Sequence, residues 1–209
     1  MEKFTQIAGP ACPLPTENID TDQILPARYL KLPRNGEHGK VLFFDLRFDA
    51  EGNERPAFAL NRAHWRAAKI IVAARNFGGG SSREAAVYAL LDFGIRCVIA
   101  PSFGDIFAKN ATKNGLLTAV LSPAETASLL LTLERQPTSI VAVDLVSQSI
   151  VCDKLKFQFV ADPSRRDRLL NGWDDFDLTT SFRKEIAGFK DADRKSRPWA
   201  VPRRRGITH

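Results

Sequence analysis

Short apolar runs alternate with stretches of helical spacing through the middle of the chain. KIIVAA (69–74), IRCVIA (95–100) and LLTAVL (116–121) are rich in Ile, Val or Leu and too short for buried helices, so each reads as a buried strand. Between the first two, SREAAVYALLDFG (82–94) places apolar residues at helical spacing and offers Gly94 as a C-terminal stop. PSFGDIFAKNATKNG (101–115) predicts a helix capped by Ser102, with Asp105 three positions on, ending at Gly115. PAETASLLLTLE (123–134) predicts a third helix, with Pro123 at its start. Strand–helix–strand–helix–strand order favours parallel pairing through right-handed crossovers, and so an α/β fold.

The pattern then changes. SIVAVDLVSQSIVCDKLKFQFV (139–160) contains short, partly alternating segments, which read as a β-meander, and DPSRRDRLLNG (162–172) as one more helix. The first sixty residues are irregular and rich in Pro and Gly, with candidate strands near 4–8 and 41–44. Internal repeats and low-complexity blocks are absent from the sequence.

Composition adds bounds. With 209 residues, 44% of them hydrophobic, one domain with a substantial core is expected. Apolar runs fall short of a membrane span, and MEKFTQIAGPACPLP has neither the basic nor the apolar region of a secretory signal. Cys12, Cys97 and Cys152 are odd in number and far apart, which argues against a disulfide framework and fits a reducing cytoplasm. They also lack the close pairing typical of zinc or iron–sulfur ligation. The formal charge of +6 permits a nucleic-acid reading. Much of the excess lies in RKSRPWAVPRRRGITH, from Arg194 onward, so the expected organisation is one domain over 1–193 and a disordered basic tail over 194–209. Zinc-finger, RNP and helix-turn-helix patterns do not accompany that tail, which makes nucleic acid the weaker alternative.

The chemistry concentrates in NFGGGSSREAA (76–86), between a strand and a helix. Three adjacent glycines lose much backbone freedom on folding. A loop placed there offers free backbone N–H groups and the positive end of the helix dipole to an anion. The dinucleotide fingerprint fails, because Gly78 and Gly80 are followed by Arg83 where a third glycine belongs; the phosphate loop lacks its lysine; and GGSSR lacks the last glycine of a nucleophile elbow. Two readings remain from residue types. One is a glycine-rich turn with Ser81 or Ser82 as helix cap and Arg83 solvated or paired with Glu84. The other is an anion site in which serine hydroxyls, loop N–H groups and the Arg83 fork grip a carboxylate.

N-F-G-x-G-S-S-R-E followed by an apolar helix closely resembles the small subunit of 3-isopropylmalate dehydratase, in the aconitase superfamily. NIDTDQILPARYLK (18–31), LFFDLRF (42–48), APSFGDIFAKNATKNGLL (100–117) and LLNGWDDFDLTT (169–180) are similar to that family's other landmarks, in the same order, so the resemblance spans roughly 4–180. It implies a swivelling β/β/α domain with a mixed or parallel sheet flanked by helices. Such a domain closes over an active site built mainly by a large-subunit partner that carries a 4Fe–4S cluster; this chain itself would bind no metal. The implied reaction dehydrates and rehydrates isopropylmalate, a small dicarboxylate, in leucine biosynthesis. By match to the motif, Ser81 would be the base that takes the proton from carbon, while Ser82, Arg83 and the Gly80 backbone bind substrate carboxylate. Glu84 supports the loop by hydrogen bonding. Asp20, Thr21 and Asp22 read as a turn with Asx-type bonds, leading to a substrate loop around Tyr29–Leu32, where Lys31 either faces a carboxylate or is solvated. Asp105 is explained as a cap, and His38 and His64 as structural or exposed.

The match departs at four positions: Ala85 stands where the family usually has His, Val87 where it has Pro, Tyr88 where it has Trp, and Gly79 where Cys is common. The proposed base and arginine are retained. The departures leave a paralogous aconitase-type subunit for another hydroxy-di- or tricarboxylate as the alternative.

Overall fold

A computed structural model describes residues 1–200; the end of the basic tail, 201–209, lies outside the described residues. The chain divides into two compact units, the first Met1–Trp173 and the second beginning at Asp174.

The first unit is built on a seven-stranded mixed sheet, in the order β4-β3-β2-β1-β5-β6-β7. Its parallel half follows the sequence pattern: β2 (Ile70–Ala73), α3 (Glu84–Phe93), β3 (Cys97–Ala100), α4 (Asp105–Asn114) and β4 (Leu117–Val120). Two short helices precede it, α1 (Thr21–Ile24) and α2 (Phe44–Arg47). After β4, α5 (Pro123–Arg135) leads to the meander β5 (Ile140–Asp144), β6 (Ser149–Cys152) and β7 (Leu155–Gln158), and α6 (Pro163–Asn171) follows.

β1 (Gln6–Leu14) joins the two halves. Its first residues pair antiparallel with β5, and Ala11–Leu14 pair parallel with β2. Pro10, which has no N–H to contribute to a ladder, sits at the change of partner, where its carbonyl accepts from the Lys69 amide at 3.0 Å. This strand was only partly visible near 4–8, because Pro10 and Pro13 conceal its length.

Period-two alternation sorts the strands onto two cores. Ile71, Ala73, Val98 and Ala100 face Val87 and Leu90 of α3 and Phe107 and Ala111 of α4. Ile70, Val72, Cys97 and Ile99 face the other way, toward Leu129 and Leu133 of α5 and the meander's Val141, Val143 and Ile150. Both faces of the parallel strands are thus covered, which is why they read as unbroken apolar runs.

Two expectations near the site are corrected. Residues 41–44 form no strand: Val41 ends a 3₁₀ helix (Glu37–Val41), and α2 starts at Phe44. Gly39 packs so tightly on α3 that an added Cβ would lie 2.6 Å from the Asp92 carbonyl carbon, and Leu42 and Phe43 are fully buried. Core packing, rather than pairing, accounts for their apolar character. The cap of α4 is Gly104, not Ser102, whose hydroxyl accepts from the Asn76 amide at 2.9 Å, and Asp105 is the first helical residue.

In the second unit, Asp174 caps α7 (Asp175–Ser181), and α8 (Arg183–Ser196) is followed by a 3₁₀ turn at Pro198–Ala200. The boundary expected at 193/194 falls inside α8, and residues 194–196 continue that helix. Phe182, Ile186 and Phe189 give the helix its apolar period upstream of Arg194, where a reading of the tail alone finds none.

Candidate functional site

The glycine loop connects β2 to α3 and is clamped from two sides. The Gly78 amide donates to the Ile19 carbonyl at 2.7 Å, the Thr21 amide to the Gly79 carbonyl at 3.0 Å, and the buried Thr21 hydroxyl to the Ser81 carbonyl at 2.7 Å. From the other side, the Phe77 amide donates to the Ser102 carbonyl at 3.1 Å and the Gly104 amide to the Phe77 carbonyl at 2.9 Å. Gly78 and Gly80 adopt φ of 73° and 83°, a region that favours glycine. At Gly78 a side chain is also sterically excluded, since its Cβ would stand 2.3 Å from the Phe107 ring.

The loop borders a cleft of about 330 Å³, lined by Asn76, Gly78–Ser81 and Gly104–Phe107. Ser81 and Ser82 are exposed, and neither hydroxyl is hydrogen-bonded among the described residues. Neither serine caps α3: its N-cap is Arg83, which provides no side-chain cap, so the first turn keeps free N–H groups beside the serines. Both serine-cap expectations are therefore corrected. Arg83 is neither solvated nor paired with Glu84. Its guanidinium, with the side chain only 17% exposed, forms an ion pair with the half-exposed Asp22 of α1. Glu84 instead accepts from the Asn114 amide nitrogen at 2.7 Å, a supporting bond of the kind expected.

Asp20 caps α1 by accepting from the Gln23 amide at 2.7 Å while the Gln23 side chain accepts from the Asp20 amide; the turn expected over Asp20, Thr21 and Asp22 is instead a capping box that opens a short helix. Gly80, Ser81, Ser82 and Arg83 come together on this one loop. Lys31 stands apart, exposed on the turn after the 3₁₀ helix Ala27–Tyr29. His38 is buried, its Nδ1 3.7 Å from an Asp92 oxygen and its ring edge-on to Tyr88, whereas His64 is exposed. Sequence reasoning missed the Asp22 partner of Arg83, the Thr21 clamp, and the contacts of Arg34 and Asn114 beside Glu84. These pairs lie 30 to 80 residues apart, and nothing local signals them.

The four departures are placed as follows. Val87 is fully buried, Ala85 packs against the same core, and Tyr88 lies under Arg34; of the four, only Gly79 lines the cleft.

The cysteines do not fit an iron–sulfur cluster. All three are free and buried, Cys12 in one core and Cys97 and Cys152 in the other. Burial pushes the Cys12 and Cys97 thiols far up and the Cys152 thiol to about 11, against the thiolate form that ligation needs. Among the described residues, no group of three or more His, Cys, Asp or Glu could hold a metal ion, and no helix is long and apolar enough to cross a membrane.

The aconitase C-terminal domain model matches residues 1–124. A 3-isopropylmalate dehydratase small subunit from Rhodospirillum centenum is 47% identical over 202 residues, covering 96% of this chain and all of that protein. One from Paramagnetospirillum magneticum is 48% identical, covering 95% and 100%. The crystal structure of a 3-isopropylmalate dehydratase from Methanocaldococcus jannaschii superposes with a TM-score of 0.64 at 28% identity, covering 88% of this chain and 99% of that one. With its whole length bar a few residues aligned at nearly half identity, and with the glycine loop and its clamps in place, this chain belongs to the 3-isopropylmalate dehydratase small-subunit family of aconitase C-terminal domains.

Proposed function

We propose that the chain is the small subunit of a cytoplasmic hydro-lyase that interconverts 2-isopropylmalate and 3-isopropylmalate by removing and returning water, and that it acts only with a large subunit. The 4Fe–4S cluster belongs to that partner and supplies a Lewis acid there. The cysteines of this chain do not suit such a cluster, and its own contribution is proton transfer and carboxylate binding.

Ser81 takes the proton from the carbon beside a substrate carboxylate. Negative charge then grows on the carboxylate oxygens, where fixed N–H donors and a cation stabilise it best. The Gly80 and first-turn amides, the Ser82 hydroxyl and the Arg83 fork supply those donors, and the same positive surroundings favour the ionised form of the serine that must act as base. Lys31 approaches the second carboxylate from the separate loop. The observation that carries this reading is the clamped loop itself, which presents two hydroxyls unpartnered among the described residues and a guanidinium on three consecutive residues, with Ser81 lining the cleft.

Anaerobic reconstitution with a candidate large subunit tests it. The pair is expected to turn over isopropylmalate and this chain alone to be inactive. Ser81→Ala in the pair is expected to lower kcat by about 10²–10⁴, the usual loss of a positioned proton-transfer group. Activity of this chain without a partner, or wild-type rates from the Ser81→Ala pair, would overturn the assignment. A pair that turned over citrate-like acids in preference to isopropylmalate would favour the paralogue.

A further inference from the structure

Residues 30–36 form a loop held at both ends. Before it, Arg28 pairs with Asp45 and lies over the Tyr29 ring, which packs on Phe44. After it, the 3₁₀ helix Glu37–Val41 packs on α3 through Gly39 and His38. Between these anchors the turn carrying Lys31 is closed by the Leu30 and Leu32 amides, which donate to the Ala27 and Tyr29 carbonyls at 3.2 Å each. One long side chain crosses from this loop to the glycine-loop helix. The Arg34 guanidinium lies over the Tyr88 ring, with Cζ 3.8 Å from the centroid, and donates to the Asn114 side-chain oxygen at 3.0 Å. Asn114 in turn donates to Glu84 at 2.7 Å, and Glu84 directly follows Arg83.

Each link here uses a different property of its residue. Arg34 combines a flat cationic face with in-plane donors, so it can stack and hydrogen-bond at once, as lysine cannot. Tyr88 provides the π face. Asn114, at the last turn of α4, both accepts from Arg34 and donates to Glu84, joining three elements. Tyr88 lies one turn along α3 from Glu84, on the same side of the helix.

We propose that Arg34 is a positioning residue for the substrate-carboxylate site. Through Tyr88, Asn114 and Glu84 it sets the spacing between the Lys31 loop and the first turn of α3, which Arg83 immediately precedes as N-cap. This rests on the reading that Arg83 binds a substrate carboxylate. Arg34 touches no reacting atom; its contribution is to substrate affinity.

The test is steady-state kinetics on isopropylmalate with the reconstituted two-subunit enzyme. Arg34→Ala is expected to raise KM roughly three- to tenfold with kcat within about twofold, the size of one partly shielded cation–π contact plus one hydrogen bond. Arg34→Lys should recover only part of the loss. Tyr88→Leu should match Arg34→Ala, Tyr88→Trp should behave as wild type because its larger π face keeps the stack, and the Arg34→Ala, Tyr88→Leu double variant should be no worse than either single change. A wild-type KM for Arg34→Ala, or multiplicative losses in the double variant, would overturn the proposal. Arg34 is exposed, so its variant is expected to fold whether or not the Tyr88 variants do. Arg83→Lys separates the two levels. If it impairs binding while Arg34→Ala does not, the positioning role alone fails. If it leaves KM unchanged, the carboxylate grip fails and the positioning role with it.

Discussion

The ion pair with Asp22 fixes where the Arg83 guanidinium points at the start of α3. Asp22 is half exposed and Arg83 largely covered, so the pair as such adds at most about 1 kcal/mol to stability. Its geometric effect is larger, because the guanidinium is a planar fork whose aim decides which oxygens it can meet. Asp22→Asn keeps the shape and removes the charge. It is expected to leave thermal unfolding nearly unchanged and to lower kcat/KM about three- to thirtyfold through KM, as an unheld fork samples other directions. Substrate kinetics of the variant pair, alongside thermal unfolding of the chain, checks this; unchanged kinetics would mean that the loop alone aims Arg83. The three glycines differ in the same way. Gly78→Ala combines positive φ with a Cβ 2.3 Å from Phe107, and is expected to destabilise the chain by about 2–5 kcal/mol. Gly79 has no positive φ, and its Cβ would stand 3.3 Å from the end of the Asn76 side chain, which can shift. Gly79→Ala should cost less than about 1.5 kcal/mol, and denaturant unfolding of the two variants separates them. A sequence shows three equal glycines there; backbone φ and a neighbour 29 residues on, Phe107, distinguish Gly78 from Gly79.

At the scale of elements, the parallel half was legible because each element carries its own punctuation. Gly94, Gly115 and Gly172 close α3, α4 and α6 in the left-handed conformation, at φ of 107°, 86° and 70°. Starts were less legible. Ser122 and Asp162 cap as their residue types suggest, but Ser102 is drawn to Asn76, and α3 begins at Glu84 behind Arg83, which gives no side-chain cap. A polar side chain near a helix start has several candidate donors, and the one it finds is set by tertiary packing. The acidic caps carry a pH signature. Hydrogen bonds from Ser122 hold Glu125 below its ordinary pKa, and backbone amides do the same for Asp162 and Asp174. For a carboxylate lowered in the folded state, the stabilisation is fully present above the unfolded pKa of about 4 and is lost as pH falls through the folded value. The first turns of α5, α6 and α7 are therefore expected to fray below about pH 4, and amide protection factors at those turns, corrected for the intrinsic exchange rate at each pH, should fall on acidification ahead of global unfolding. Exchange there that tracked the core would count against the caps.

For the whole molecule, the two units differ in how they are held. All residues of both hydrophobic cores lie between Phe4 and Leu169, within the unit Met1–Trp173, which also holds the complete sheet and the glycine loop. The helices α7 and α8 contain no buried residue, and Phe176, Phe189 and Trp199 are each at least two-thirds exposed. Among the described residues none from 174 to 200 is buried, so removing residues 174–209 takes away much charge and exposed aromatic surface and no described core side chain. A chain ending at Trp173 is expected to unfold cooperatively, with a Tm within about 4 °C of the full chain, the shift that roughly 1 kcal/mol produces at this size. The comparison is thermal unfolding of the two chains, followed by both circular dichroism and tryptophan fluorescence. Trp65 is buried and remains in the shortened chain, so its signal reports the core directly. A shortened chain that fails to fold, or melts more than about 4 °C lower, would mean that α7 and α8 are integral to the domain. A match would place the fold's determinants within Met1–Trp173, where the sequence pattern is periodic, and leave the basic C-terminal segment outside them.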